Sequence, residues 1–229
     1  MFLAFLVCNA QISDNIKWDF PVKPGMPEWK EFKYTVEMIK ACQIPETVLS
    51  SLSTDDLTEI CLQFPLFMNV YAFNTLSDGV ENLFNEFNGI RELYSRKDVA
   101  SGLIARYIQK VHSFPFLDES HSDVAKGVFM ISVTNLEILL SQIVQHDSKY
   151  SKEILQCLVF GYEEKLKYTN YFGYGFQTNC FSRVQVIAKM DKNFVDRLPG
   201  KGLNPVMSSG FADNQTFDVV NKLSYQLIK

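Results

Sequence analysis

Apolar residues recur along the chain at spacings of three and four, the period of helices that bury one face. From Glu28 onward, Phe32, Val36 and Ile39 predict a first helix. Pro45 suits the opening turn of a short helix carrying Val48, Leu49 and Leu52. Ser53, with Asp56 three residues on, predicts a capped helix whose inner face is Leu57, Ile60, Cys61 and Phe64 and which Pro65 stops. Ser77 and Asp78 open a helix with the stripe Val80, Leu83, Phe84, Phe87, Ile90 and Tyr94. Gly89 inside it marks a kink or a close helix contact, because glycine there costs about 1 kcal/mol relative to alanine. Val99, Leu103, Tyr107 and Val111 define the next helix, ended by Phe114-Pro115. Ser122 caps the longest one, in which Val124, Val128, Phe129, Val133, Leu136, Leu139, Leu140 and Ile143 cover more than a narrow stripe, as a central helix requires.

Tyr150, Ile154, Leu155, Leu158, Tyr162 and Leu166 form the following helix, and Phe181, Val184, Ile187 and Ala188 the one after. A last helix carries Phe217, Val220, Leu223 and Leu227. Two stretches break the period. The segment 11–27 holds three prolines and reads as an extended arm, and 197–210, with three glycines and two prolines, reads as a surface loop. The pattern therefore predicts a single all-α domain over 28–229, either an irregular helical bundle or a short stack of helical hairpins. A loose echo among TDDLTEICLQF, KDVASGLIARY and SKEILQCLVFGY suggests paired-helix repeats without a fixed period.

Composition fits that picture: 47% of residues are hydrophobic and 14% aromatic, with few glycines and prolines. Lys plus Arg total 22 against 26 acidic residues, a net charge of −4 with no basic cluster, which argues against a nucleic-acid partner. Residues 1–10, MFLAFLVCNA, read as an export signal truncated at its start, with cleavage before Gln11. Alternatives are lipidation at Cys8, disfavoured by Val7 just before it, and a buried first helix of a cytoplasmic protein. No later window reads as a membrane span, so the mature chain is expected to be soluble and without an integral membrane segment. Cys42, Cys61, Cys157 and Cys180 then remain; their even number permits two disulfides, while the apolar surroundings of Cys42 and Cys61 favour buried thiols.

Candidate chemistry is sparse. Tyr171-Phe172-Gly173-Tyr174-Gly175-Phe176 is the most unusual local feature: Tyr171, Phe172, Tyr174 and Phe176 on a glycine-containing loop form either a stacking platform for a partner or a core plug between helices. Arg91 and Arg96, in FNGIRELYSRKD, serve either as a clamp between helices or as an anion site. His112, His121 and His146 lack metal-ligand spacing, and helix dipoles account for His112 and His146 and for Asp55 and Asp56. A hydrolase would need several of His112, His121, His146, Asp55 and Arg91 to converge in one pocket. Asn214-Gln215-Thr216 matches a glycosylation sequon. No cofactor, metal or nucleotide motif is present.

The stretches WDFPVKPGMPEWKEF, ACQIPETVLSSLSTDDLTEICLQFPL and FNGIRELYSRKDVASGLIARY resemble a family of exported helical proteins of Bacteroidetes-type bacteria, over 18–107. The resemblance implies export and a helical domain, and no activity. The expectation is an exported helical protein, found in the periplasm, at the outer membrane or outside the cell. It would act as a binding or interaction module for a protein or glycan. The alternatives are a hydrolase with residues converging only in the fold and a structural cell-envelope protein.

Overall fold

A computed structural model describes residues 18–207 and 209–229. The predicted signal and the start of the arm lie outside them. Among the described residues the fold is all-α, with helices α1 (Thr35–Ala41), α2 (Glu46–Leu49), α3 (Thr54–Leu62), α4 (Leu76–Glu86), α5 (Asn88–Ser95), α6 (Val99–His112), α7 (Asp123–His146), α8 (Ser151–Lys165), α9 (Gly173–Met190), α10 (Phe194–Arg197) and α11 (Asn214–Ile228), linked by short 3-10 turns.

Side-chain caps set several of the starts. Ser53 Oγ accepts from the Asp56 amide at 3.0 Å and Ser122 Oγ from the Ala125 amide at 3.2 Å, as the sequence predicts. The helix with the Val80 stripe is instead capped by Thr75, whose Oγ1 accepts from the Asp78 amide. That stripe forms two helices: Phe87 takes an extended conformation (φ −108°, ψ 116°) and separates α4 from α5. Gly89 follows the break, and a Cβ there would lie 2.6 Å from the Phe87 ring and 3.0 Å from Ile44, so kink and close contact coincide.

The helix expected from Glu28 is also divided, into a 3-10 turn at Glu28–Glu31 and α1. Glu37 ends the continuity by accepting from the amides of Lys33 (2.8 Å) and Tyr34 (3.1 Å), which starts α1 afresh. Val36 is consequently exposed and Phe32 only half-buried, contrary to their assignment to an inner face. Before them, residues 18–27 hold no helix, yet Phe20 is buried against Phe64 and Phe87. The 197–210 segment also departs from a plain surface loop: it contains two 3-10 turns and buries Asn204 and Val206.

The core centres on α7 and α9, which pack along each other, with α8 and α11 against α9 and with α6 against α7 and α8. The three echoing segments lie side by side, α6 touching both α3 and α8. Asp123–His146 has the length and mean hydropathy (1.6) of a bilayer span, which the sequence reading missed. In the fold, 133–141 is wholly enclosed by protein. The N-terminal half of the same helix behaves differently: Val124 and Val128 are 77% and 63% exposed, so α7 is central only from Val133 onward.

All four cysteines of the described residues are free and buried, so neither permitted disulfide forms. Burial pushes the Cys157 thiol up to about 12 and Cys180 to about 11, leaving both protonated at neutral pH and poor nucleophiles.

Candidate binding groove and the polar core behind it

The Tyr171–Phe176 cluster is not a loop. Gly173 begins α9, so Tyr174, Gly175 and Phe176 form its first turn, and the four aromatics point to different places. Phe172 is buried, 4.7 Å from Phe114 between ring centroids, and plugs the core. Phe176 faces Tyr162 on the other side, at 5.9 Å edge to face. Tyr171 and Tyr174 alone are left for a surface, half-buried and 61% exposed respectively.

Those two tyrosines form one wall of a groove of about 380 Å³. The opposite wall is α7, contributing Gly127, Met130 and Ile131 from its exposed half and the buried Thr134 below them. The 3-10 turn Phe67–Ala72 closes an end with Met68 and Tyr71. Tyr71 meets Tyr174 edge to face at 5.7 Å, and its hydroxyl donates to Asn135 Oδ1 at 3.4 Å. Burial raises the Tyr71 phenol well above its usual value, so it stays neutral. Thr134 donates its hydroxyl to the Met130 carbonyl at 2.9 Å. The walls are therefore apolar, and their few polar atoms already have partners.

Gly127 leaves a bare stretch of helix on the groove wall. It lies in the interior of α7, where glycine costs about 1 kcal/mol against alanine, yet a Cβ there would meet nothing within 4 Å. No packing requirement explains the missing side chain. Val124 and Val128, outside the groove on the same helix, add exposed apolar side chains to those of Ile131 and Met68 in its walls.

Behind the floor lies a polar core. Glu137 and Lys165 are fully buried and paired at 2.6 Å. Glu137 Oε1 also accepts from Tyr107 Oη at 2.5 Å and from Asn179 Nδ2 at 2.7 Å, and Lys165 Nζ donates to the Gly175 carbonyl at 3.1 Å. Desolvation holds the Lys165 ammonium below its usual pKa against the pull of Glu137. Desolvation and the neighbouring Glu137 carboxylate drive the Tyr107 phenol well up. Gly161 makes this bond possible, since a Cβ there would overlap the Tyr107 hydroxyl. Arg183, also fully buried, stacks on Tyr162 at 4.4 Å and donates from Nη1 to Asn221 Oδ1 at 2.7 Å.

The remaining candidates are dispersed. Arg91 Nη1 donates to the Asn85 carbonyl at 2.5 Å at the end of α4. Arg96 donates from Nη1 and Nη2 to the carbonyls of Leu52 and Leu49 at 2.7 and 2.9 Å, past the end of α2. Both guanidinium groups are thus engaged as helix clamps away from the tyrosines. Asp55 is gripped by Arg106, His121 stacks on Phe116 at 3.9 Å beside Glu119, His112 meets Phe160 and His146 meets Phe84. Of the five residues that a hydrolase would need together, Arg91 and His146 share one neighbour, Phe84, and Asp55, His112 and His121 each sit among others. Among the described residues no three His, Cys, Asp or Glu side chains form a metal-holding group.

The polar core was missed in the sequence because the partners of Glu137 lie 28 to 42 residues from it. One signal was present: Glu137 interrupts the run LEILL inside the most apolar helix, where an acid needs a buried partner.

No protein-family model, curated protein or solved structure matches the chain. The fold and these sites therefore carry the functional argument by themselves.

Proposed function

We propose that the protein is a binding module that takes an apolar group of a partner protein into the groove between α7 and α9. The observation that carries this reading is the apolar lining of the groove, whose polar atoms are already engaged and whose opening is flanked by exposed apolar side chains. Exposed Ile131, Met68 and Tyr174 around the opening supply the adaptable and aromatic contacts typical of protein recognition. A glycan is the poorer fit. Sugar hydroxyls need unengaged amides or carboxylates, and here Thr134 and Tyr71 have partners and no acid lines the groove.

Peptides selected from a displayed random library against the native chain should share an apolar or aromatic anchor. Tyr171→Ala and Tyr174→Ala should each weaken their binding roughly tenfold, Tyr174→Ala at little cost in stability because its ring is exposed and Tyr171→Ala at a larger one because its ring packs partly against the core. Lost stability with unchanged binding would end the proposal. The export reading stands beside it as part of the same proposal: the native N terminus should begin at Gln11, and mass spectrometry finding Met1 would overturn it.

A further inference from the structure

The described lysines that lack a carboxylate partner stand exposed to solvent, with two exceptions, Lys110 and Lys126. Both are half-buried, and both lie on the aromatic cluster beside the groove. Lys126 Nζ sits 5.5 Å from the centroid of Tyr171, a groove wall, and Lys110 Nζ sits 5.9 Å from that of Phe129. Phe129 in turn meets Phe114, which packs on Phe172 in the groove lining. A ring face attracts an ammonium without neutralising it, so both half-buried charges lack a counter-ion.

The helical period sets Lys126 on one flank of the groove. It precedes Gly127 and lies one turn before Met130, on the Tyr171 side of the α7 wall, whereas Val124 and Val128 lie on the other side. Nearby acids do not cancel its charge. Asp123, one turn earlier, forms no ion pair with Lys126 and stands at the N-terminal end of α7, where the helix dipole favours it. Glu119 is bonded to His121 at 2.7 Å. No acid lines the groove. An apolar slot of about 380 Å³ with an unneutralised ammonium on its flank is complementary to an apolar side chain that neighbours a carboxylate.

We propose that the partner of the groove is an acidic peptide segment: its apolar side chain enters the groove, and an adjacent Asp or Glu is held by Lys126, with Lys110 adding to the attraction. This rests on the groove as a protein-binding site and specifies the charge that the partner must carry.

The test uses the displayed peptide library on the full chain. Peptides that bind should carry Asp or Glu beside the apolar anchor. For one such peptide, replacing that acid by its amide should weaken binding to the wild type about three- to fivefold and have no effect on binding to Lys126→Gln. Lys126→Glu should reverse the preference, favouring the peptide with lysine in place of the acid. Raising salt from about 50 to 500 mM should remove most of the acid's advantage in the wild type. A lysine that only covers Tyr171 would alter stability and leave the acid-to-amide ratio unmoved in Lys126→Gln. Anchored peptides with no acid preference, or a preference that survives Lys126→Gln and Lys110→Gln together, would overturn the proposal and leave the groove as a protein site. A library that yields no anchored peptide would overturn both.

Discussion

Replacing Glu137 by glutamine and Lys165 by methionine attacks one buried ion pair from opposite sides, and the structure predicts unequal damage. Glu137→Gln leaves Lys165 and Arg183 as two buried cations with no buried carboxylate. Removing one partner of a buried pair costs about 3–5 kcal/mol, and the second cation places this variant at the top of that range. Lys165→Met leaves Glu137 with its bonds from Tyr107 and Asn179 and with Arg183 as the remaining opposite charge, so the interior becomes neutral. Its cost reduces to a charge-assisted hydrogen bond and the bond to the Gly175 carbonyl, about 2 kcal/mol. For a chain of this length these figures correspond to melting temperatures lower by about 10–15 °C for Glu137→Gln and about 5 °C for Lys165→Met. Urea unfolding measures both, and the double variant closes the cycle. A Lys165→Met loss as large as that of Glu137→Gln would refute the charge ledger.

Other consequences are simpler to read. Gly161→Ala should push the Tyr107 hydroxyl off Glu137 and cost roughly 2–4 kcal/mol by urea unfolding, although alanine is the better helix former; a stabilised variant would refute the close approach. Ser122→Ala removes the cap of α7 and should cost about 1 kcal/mol, whereas an unchanged urea midpoint would show that the cap contributes nothing. Cys157, Cys180 and Tyr107 have folded pKa values raised above their unfolded ones. Their contribution is full below about pH 9 and is lost as pH rises toward the folded values, by up to about 1.4 kcal/mol per pH unit for each group. Lys165, shifted downward, opposes this as a single group. Stability should therefore fall from pH 9 to 10.5, and a flat or rising profile would contradict the burial of these side chains.

Where local rules decide an element, the sequence was readable. Ser53 and Ser122 cap as their spacing predicts, Phe64 is buried at the foot of α3, and the stripe Val220 and Leu223 faces the core from α11. Period alone did not reveal competition from a side chain. Glu37 restarts the helix at α1 although Phe32, Val36 and Ile39 keep the right spacing, and Phe87 breaks the α4–α5 stripe without any proline. The aromatic cluster misled in the other direction. Two glycines in six residues suggest a loop, but Gly175 is helical, in a tight space against Phe172 and Thr134 with the Lys165 ammonium nearby. Half of the candidate site could be seen as Tyr171 and Tyr174. The other half, Met68, Tyr71, Met130 and Ile131, comes from segments whose apolar residues look like core until the exposed half of α7 is known.

Gly127 offers the most direct measurement. Alanine there projects into open space and should stabilise the chain by about 0.5–1 kcal/mol, while tryptophan at the same position fills the groove from a helix that keeps its backbone. A library-selected peptide with an apolar anchor, titrated against folded chain, should bind Gly127→Ala with near wild-type affinity and Gly127→Trp at least tenfold more weakly. Equal affinity for the wild type and Gly127→Trp would contradict the groove as the binding site.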